Sequence, residues 1–372
     1  MDRHGVIAHA SSPRNETGWL WQGASQGGTA SIRHQLKQQK FKSKKSMGQN
    51  FMEDGETLER IVRLAELSPD SLVVEVGPGT GALTRKIMAS GARVRAIEKD
   101  DRLFSYLHRT IERHGDLSDG LAVEEDTDNE GVNDAVEEDI EDPPRIIRSA
   151  DGRLEIVHAD VLKLDLARFA AGFGATNADH GASDTSDADG ANPATMMPGD
   201  KPKLMANLPY NITRDFLRKA LPLGEAYSSL VLMLQHEAAE RLVKSSPGSP
   251  DWRAMNVIVQ FYSSPKYLFR VDRRLYVPRP KVDGAVVDFA LKPSSERPDV
   301  PSEAEFVSLV KRGNLQRRKV LSNSLRPLLE GDEIRECLVS SGLSTDARAQ
   351  ELSLEDWVTL SWAVHRCLQA KK

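Results

Sequence analysis

Val73-Val74-Glu75-Val76-Gly77-Pro78-Gly79-Thr80-Gly81-Ala82-Leu83-Thr84 reads as a buried strand, a glycine turn and the opening of a helix. Glycine lets a backbone turn sharply and pass close to a ligand, and a helix N-terminus offers N–H groups without partners in the helix. Alone, the motif fits several nucleotide cofactors. The next apolar run, Val94–Ile97, ends at Glu98, 21 residues beyond Gly77. A carboxylate there can accept both hydroxyls of an adenosine ribose; the bland alternative is an exposed strand-end acid. A third run, Leu154–Val157, leads through His158 and Ala159 to Asp160. That carboxylate suits the exocyclic amine of a cofactor adenine, or a helix cap ahead of Val161. NAD(P) and S-adenosylmethionine each carry an adenosine, so both stay open on these residues.

The pattern repeats outward from this unit. Leu58, Ile61, Val62, Leu64 and Ala65 recur at helical spacing before it. Further short apolar runs follow at Leu204–Ala206, Leu230–Leu234 and Ala285–Leu291, most of them separated by helical stretches. Such alternation predicts strands buried on both faces, hence a doubly wound, mostly parallel sheet. The last run follows Pro278-Arg279-Pro280 and suits an added antiparallel strand; Asn256–Tyr262 is ambiguous between helix and strand. After Pro301 the spacing of Phe306, Val307, Leu309, Val310, Leu321, Leu325 and Leu328 is helical, predicting a small all-α domain over 295–372.

The chain has 372 residues and a formal net charge of −5. That charge misleads, because Asp116–Asp142 holds 13 acids, Gly172–Asp200 holds five, and neither holds a Lys or Arg. Without them the balance is +13, which suits a polyanionic partner. The segments near 113–150 and 172–200, poor in large apolar residues, are expected to be disordered surface loops. Residues 1–40 read as a disordered leader; acid-poor and Ser-containing at its start, it also fits an organelle transit peptide, without the apolar core of a secretory signal. No apolar run is long enough to span a bilayer. Cys337 and Cys367 lack metal-ligand spacing, so no metal is expected and ordinary packing in a reducing compartment suits them.

Ala206-Asn207-Leu208-Pro209-Tyr210-Asn211, after the fourth run, decides the chemistry. An exocyclic amine is a poor nucleophile because its lone pair is delocalised into the ring. The Asn207 side-chain oxygen and a backbone carbonyl such as Leu208 can localise it by accepting both N6 hydrogens. Pro209 stiffens the turn that aims that carbonyl, and Tyr210 can stack on the adenine face. A plain strand-to-helix turn with Asn211 as cap explains Pro209 and Asn211, but not the four-residue combination.

Lys45–Met52, Glu75–Gly81, Asn207–Tyr210, Leu234–Glu237, Tyr276–Val287 and Asn314–Lys319 together resemble the ribosomal RNA small-subunit adenine dimethyltransferases over about 40–370, the two inserts apart. Leu221–Gly224 through Glu237–Ala239, and Phe261–Pro265, look most like the plastid branch. The resemblance implies a Rossmann-like class I methyltransferase domain over 41–294 with a seven-stranded sheet. It further implies S-adenosylmethionine as donor and two adjacent adenines in a hairpin loop near the 3′ end of small-subunit rRNA as target, within a pre-ribosomal particle. By this resemblance Asn50, Met52, Gly77, Glu98, Asp160 and Asn207 contact the cofactor, and Asn207, Leu208, Pro209 and Tyr210 form the catalytic tetrapeptide. Gly284 stands where the family usually has Ser, Arg279 where Pro is common, and Met47 where Phe or Leu is common.

Given an RNA substrate, Lys42, Lys44 and Lys45 of the basic arm, with Arg317, Arg318 and Lys319 of the helical tail, are expected to contact phosphates. The expectation is a monomer, in the chloroplast, with mitochondrion and cytosol as alternatives and no membrane contact. Rival readings are a large-subunit rRNA adenine methyltransferase, a non-catalytic ribosome-assembly or organellar transcription factor, and an NAD-dependent oxidoreductase. The last finds no hydride-transfer arrangement of His or Tyr-Lys in the sequence.

Overall fold

The computed structural model describes residues 49–52, 54–114, 145–174 and 201–371. The leader, the basic arm with Lys42, Lys44 and Lys45, and most of both acidic segments lie outside the described residues.

A short strand, β1 (Phe51–Met52), precedes helix α1 (Gly55–Leu64), whose first turn is capped by the Asp54 carboxylate accepting from the Thr57 N–H at 2.8 Å. The quoted glycine stretch then becomes β2 (Leu72–Val76) and α2 (Ala82–Ala89). It is followed by β3 (Arg93–Glu98) and α3 (Asp101–His114). After the first acidic segment come β4 (Ile146–Arg148), β5 (Leu154–His158) and α4 (Leu166–Ala171). The second segment leads to β6 (Lys203–Asn207), α5 (Thr213–Ala220), β7 (Ser229–Gln235) and α6 (His236–Lys244). Asn256–Tyr262, ambiguous by pattern, is helix α7 (Ala254–Tyr262), which runs directly into β8 (Ser263–Val271). A two-residue β9 (Tyr276–Val277) and β10 (Gly284–Leu291) end the sheet region.

The main sheet has the order β4-β5-β3-β2-β6-β7-β10-β8. Its centre, β5 to β7, is parallel, while β10 runs antiparallel between β7 and β8. Seven strands were expected, and among the described residues the main sheet has eight. The addition is β4, three residues paired antiparallel to β5 at the sheet edge, inside the stretch expected to be loop. That segment also yields its start to α3, and Gly172–Gly174 of the second forms a 3-10 turn, so both loop boundaries were drawn too wide. No apolar run announced β8, because as an edge strand it alternates burial and tolerates Pro265, whose missing N–H an edge does not need.

Successive residues of β2 point to opposite faces: Val74 and Val76 enter one apolar cluster, Val73 the other. The first cluster does not stop at the sheet. It continues through α7 into α8 (Glu303–Gly313), α9 (Leu321–Leu325), α10 (Gly331–Ser340) and α11 (Leu354–Gln369). Phe261 and Phe306 stack at 4.6 Å, and the Trp252 indole donates to the Leu352 carbonyl at 2.9 Å. Burying side chains of this size contributes roughly 1.5–3 kcal/mol each. In the tail, Cys337 and Cys367 are free thiols with their sulfurs 3.0 Å apart, bringing α10 and α11 together. No described helix is long and apolar enough to cross a membrane.

Candidate active site

The parallel strands run outward in both directions from β2 and β6, so the crossover direction reverses between them. Such a switch point leaves a crevice at the carboxyl ends of its two strands. Here β2 ends in the glycine turn and β6 ends at Asn207. The cleft holds a cavity of about 250 Å³. Asn50, Met52, Gly77, Glu98, Asp160, Asn207, Leu208, Pro209 and Tyr210, the nine cofactor and catalytic residues read from the sequence, all line it.

Gly77, Gly79 and Gly81 have φ of +70°, +60° and +76°, a region that favours glycine. At Gly77 a Cβ would meet nothing within 4 Å, so this backbone borders open space. At Gly79 the ring of Phe51 would lie 3.3 Å from a Cβ, so β1 rests on the turn. Gly81 is the N-cap of α2 and supplies no side chain to the helix's first N–H groups.

Glu98 is 5% exposed and accepts hydrogen bonds from the Gly79 and Asp100 N–H groups at 3.2 and 2.8 Å. Burial nonetheless pushes its carboxyl up to about 7. Glu75, on β2, is also driven up to about 7 by burial, and its Oε2 has no hydrogen-bond partner among the described residues. Asp100 behaves oppositely. Burial raises it, but hydrogen bonds from Arg102 and Gln49 outweigh that and hold it at about 2. The Gln49 amide thereby ties the entering chain to the end of β3. Asp160 accepts from Lys99 at 2.7 Å and from the Leu162 N–H at 2.9 Å. Burial opposes these bonds, yet they keep its pKa below the usual range. Asp160 thus caps the following turn and borders the cleft at once.

The Asn207 Nδ2 donates to the Asn50 carbonyl at 3.3 Å, which leaves Oδ1 as the acceptor of that amide. Leu208 is buried, and the Pro209 carbonyl receives the Ile212 N–H at 3.2 Å, closing the turn. Tyr210 Oη is buried without a partner among the described residues; burial, then Asp283, raises its pKa. Asn211 is exposed and is not the cap: Ile212 occupies the N-cap of α5, with no side-chain hydrogen bond. The plain-turn reading therefore loses its capping residue.

Three lining residues of interest were not picked from the sequence as site residues: Glu75, Asp100 and Tyr276. Tyr276 arrives through the β1–β9 pairing, Met52 against Tyr276 and Phe51 against Val277. Arg317, Arg318 and Lys319 do not line the cleft. Arg317 donates to the Pro250 and Trp252 carbonyls at 2.5 and 3.4 Å, whereas Arg318 and Lys319 are exposed. Leu315 beside them is 77% exposed.

An adenosine-bearing methyl donor fits these residues. Gly77 borders open space, the buried Glu98 carboxyl lines the cleft at the end of β3, and Glu75 Oε2 and Tyr210 Oη are buried polar atoms without a partner among the described residues.

Residues 40–119 and 144–365 match the family described as ribosomal RNA adenine dimethylase. A ribosomal RNA small subunit methyltransferase, chloroplastic, of Arabidopsis thaliana is 31% identical over 323 residues, covering 87% of this chain and 79% of its own. Ribosomal RNA small subunit methyltransferase A of Thermosynechococcus vestitus is 32% identical over 334 residues, covering 88% and 99%. Among solved structures, a dimethyladenosine transferase from Plasmodium falciparum superposes with a TM-score of 0.54 at 18% identity, covering 85% and 98% of the two chains. The 23S rRNA methyltransferase ErmE gives 0.52 at 20%, covering 85% and 99%. At these identities the structures speak for the shared class I methyltransferase fold.

Proposed function

The chain belongs to the ribosomal RNA adenine dimethylase family, and on that premise we propose that it transfers two methyl groups to N6 of each of two adjacent adenines in a hairpin loop near the 3′ end of small-subunit rRNA. It is a methyltransferase by that membership, and S-adenosylmethionine is the donor we assign. One observation carries the reading. The glycine turn of β2 and the Asn207–Tyr210 tetrapeptide of β6 meet at the switch point, in one cleft with Glu98.

S-adenosylmethionine supplies an electrophilic methyl on a sulfonium. Glu98 accepts the ribose hydroxyls, the glycine turn lets the backbone approach, and Asp160 accepts the exocyclic amine of the cofactor adenine. Asn50, just before β1, and Met52, on it, close the cleft. At the target base, Asn207 Oδ1 and the Leu208 carbonyl accept the two N6 hydrogens before the first transfer and the one that remains before the second, localising the lone pair, and the proton displaced in each transfer leaves to solvent. Pro209 aims that carbonyl, and Tyr210 stacks on the ring. A looped-out adenine suits this cleft because little stacking is broken to seat it.

Residues 41–294 form the catalytic unit in this reading and 295–372 the RNA-binding one. Arg318, Lys319 and the Lys42–Lys45 arm contact phosphates, and a monomer acts on a pre-ribosomal particle. The acid-poor leader and the likeness to a chloroplastic relative support the chloroplast as its compartment.

The test is mass spectrometry of both rRNAs after incubation with protein and labelled donor. N6,N6-dimethyladenosine at two neighbouring positions of the small-subunit RNA is expected. Label only in the large-subunit RNA, or none, overturns the proposal.

A further inference from the structure

Tyr276 is almost wholly buried, yet it lines the cleft together with Asn207, Leu208, Pro209 and Tyr210. Its hydroxyl lies 3.7 Å from the sulfur of Met233, also a lining residue, so the phenol is anchored on β7. On the same hydroxyl converges Gly284, the first residue of β10, paired with Gln235 on one side and Val271 on the other. Gly284 has no positive φ, so its backbone does not require glycine. Space does. A Cβ there would stand 2.7 Å from the Tyr276 hydroxyl oxygen. The next nearest atoms, Tyr276 Cζ and the Leu234 carbonyl oxygen, would be at 3.6 Å, which is ordinary contact. The obstacle is therefore one atom, the phenol oxygen, and a phenylalanine at 276 would remove it.

We infer that Tyr276 and Gly284 are a size-matched pair: the glycine vacates the volume that the phenol oxygen fills, and the pair thereby sets the position of the Tyr276 ring as an aromatic wall of the target-base end of the cleft. The backbone on both sides is fixed. Gly284 sits between two strands, and Tyr276 is held in register with Met52. A side chain at 284 must consequently push the ring rather than the strands. The ring lines the same cleft as Tyr210. Tyr276 is a positioning residue here, and its placement role rests on the methyltransferase reading above.

A double-mutant cycle tests this with the full chain: wild type, Tyr276→Phe, Gly284→Ser and the double variant. For Gly284→Ser the expectation is a loss of kcat on small-subunit rRNA of roughly tenfold or more, with donor affinity held within about threefold. Its melting temperature should fall by roughly 3 °C or more. Tyr276→Phe, which keeps the ring and loses only the oxygen, is the reference of the cycle; the double variant should match it within about threefold in kcat and recover most of the melting temperature lost by Gly284→Ser. Rescue by Phe is the result a general packing defect does not give. If Gly284→Ser retains wild-type kcat and melting temperature, or if Phe restores neither, the pair is overturned. If Gly284→Ser unfolds, Gly284→Ala replaces it in the same cycle. Absence of turnover in all four proteins sinks the functional reading and the placement role together, while the melting temperatures still decide the steric pair.

Discussion

Asn207 and Asn50 are joined across 157 positions of sequence by one hydrogen bond, from the side-chain amide of the first to the backbone carbonyl of the second. The bond has a direction. Because the nitrogen faces the Asn50 carbonyl, the oxygen of Asn207 is the acceptor that an amine can reach. The chain segment that lines the cleft before α1 therefore also orients the residue assigned to the target base.

Asn207→Ala should lower kcat by about 10²–10³, the scale of losing one well-placed hydrogen-bonding group in a transition state. RNA affinity should be nearly unchanged, since Asn207 contributes no phosphate contact in this assignment. Asn207→Asp should also be impaired, because two acceptors would face each other at Asn50. Single-turnover kinetics and filter binding measure both; wild-type turnover in Asn207→Ala rejects the mechanism.

Donor affinity should depend on pH through Glu98. The ribose hydroxyls donate, so the carboxylate is the binding form, and burial holds this carboxyl up at about 7. Affinity is thus expected to fall as pH drops from 8 to 6, with a proton released on binding near pH 7. The empty protein moves the other way. A carboxyl whose folded pKa exceeds its ordinary 4.5 favours the fold fully below 4.5, and that contribution is lost as pH rises through about 7. Glu75 adds the same trend. Calorimetry of Glu98→Gln checks the source: the affinity slope should largely flatten, and an unchanged slope assigns it to Glu75 instead.

The three basic residues of the tail should separate by their effects. Arg317→Ala removes donors to two backbone carbonyls and should lower the melting temperature by roughly 2–4 °C. Arg318→Ala and Lys319→Ala should leave it in place and each reduce the salt slope of RNA binding by about one. Melting curves and binding isotherms across a salt series distinguish the two behaviours; a salt slope unmoved by either exposed residue removes them from the RNA interface.

Deleting 116–142 takes away 13 acids from a stretch that the family match passes over at 120–143. The melting temperature should stay within about 2 °C, and turnover within about twofold. At low salt, RNA affinity should rise as a block of like charge disappears. Loss of fold or activity in the deleted chain would give the segment a structural part.

What the sequence disclosed of this site was its local chemistry. Gly77, Glu98 and Asn207 stand at ends of apolar runs, and strand-end residues of a parallel sheet meet at one edge whatever the intervening loops do. Tyr276, Gly284 and the Asn50–Asn207 bond were not legible in the same way. Their meaning lies in which distant segments touch, and no periodicity carries that. Strand β8 was hidden for a different reason: an edge strand opening Ser-Ser-Pro-Lys satisfies its pleat without an apolar run. Asp100 was passed over because its partner, Gln49, lies 51 positions before it.

The β1–β9 ribbon sets a schedule for the protein's own synthesis. Phe51 and Met52 leave the ribosome early, but Val277 and Tyr276, their partners, follow only after more than two hundred further residues. At about 5–20 residues per second, this means roughly 10–45 s during which the entering segment has no strand to pair with. The parallel strands β2, β3, β5, β6 and β7 are all made within that interval, so the sheet can assemble around an unfinished cleft. A chain that emerges N-terminus first therefore completes its cleft late, close to the moment when the tail that completes the shared core emerges.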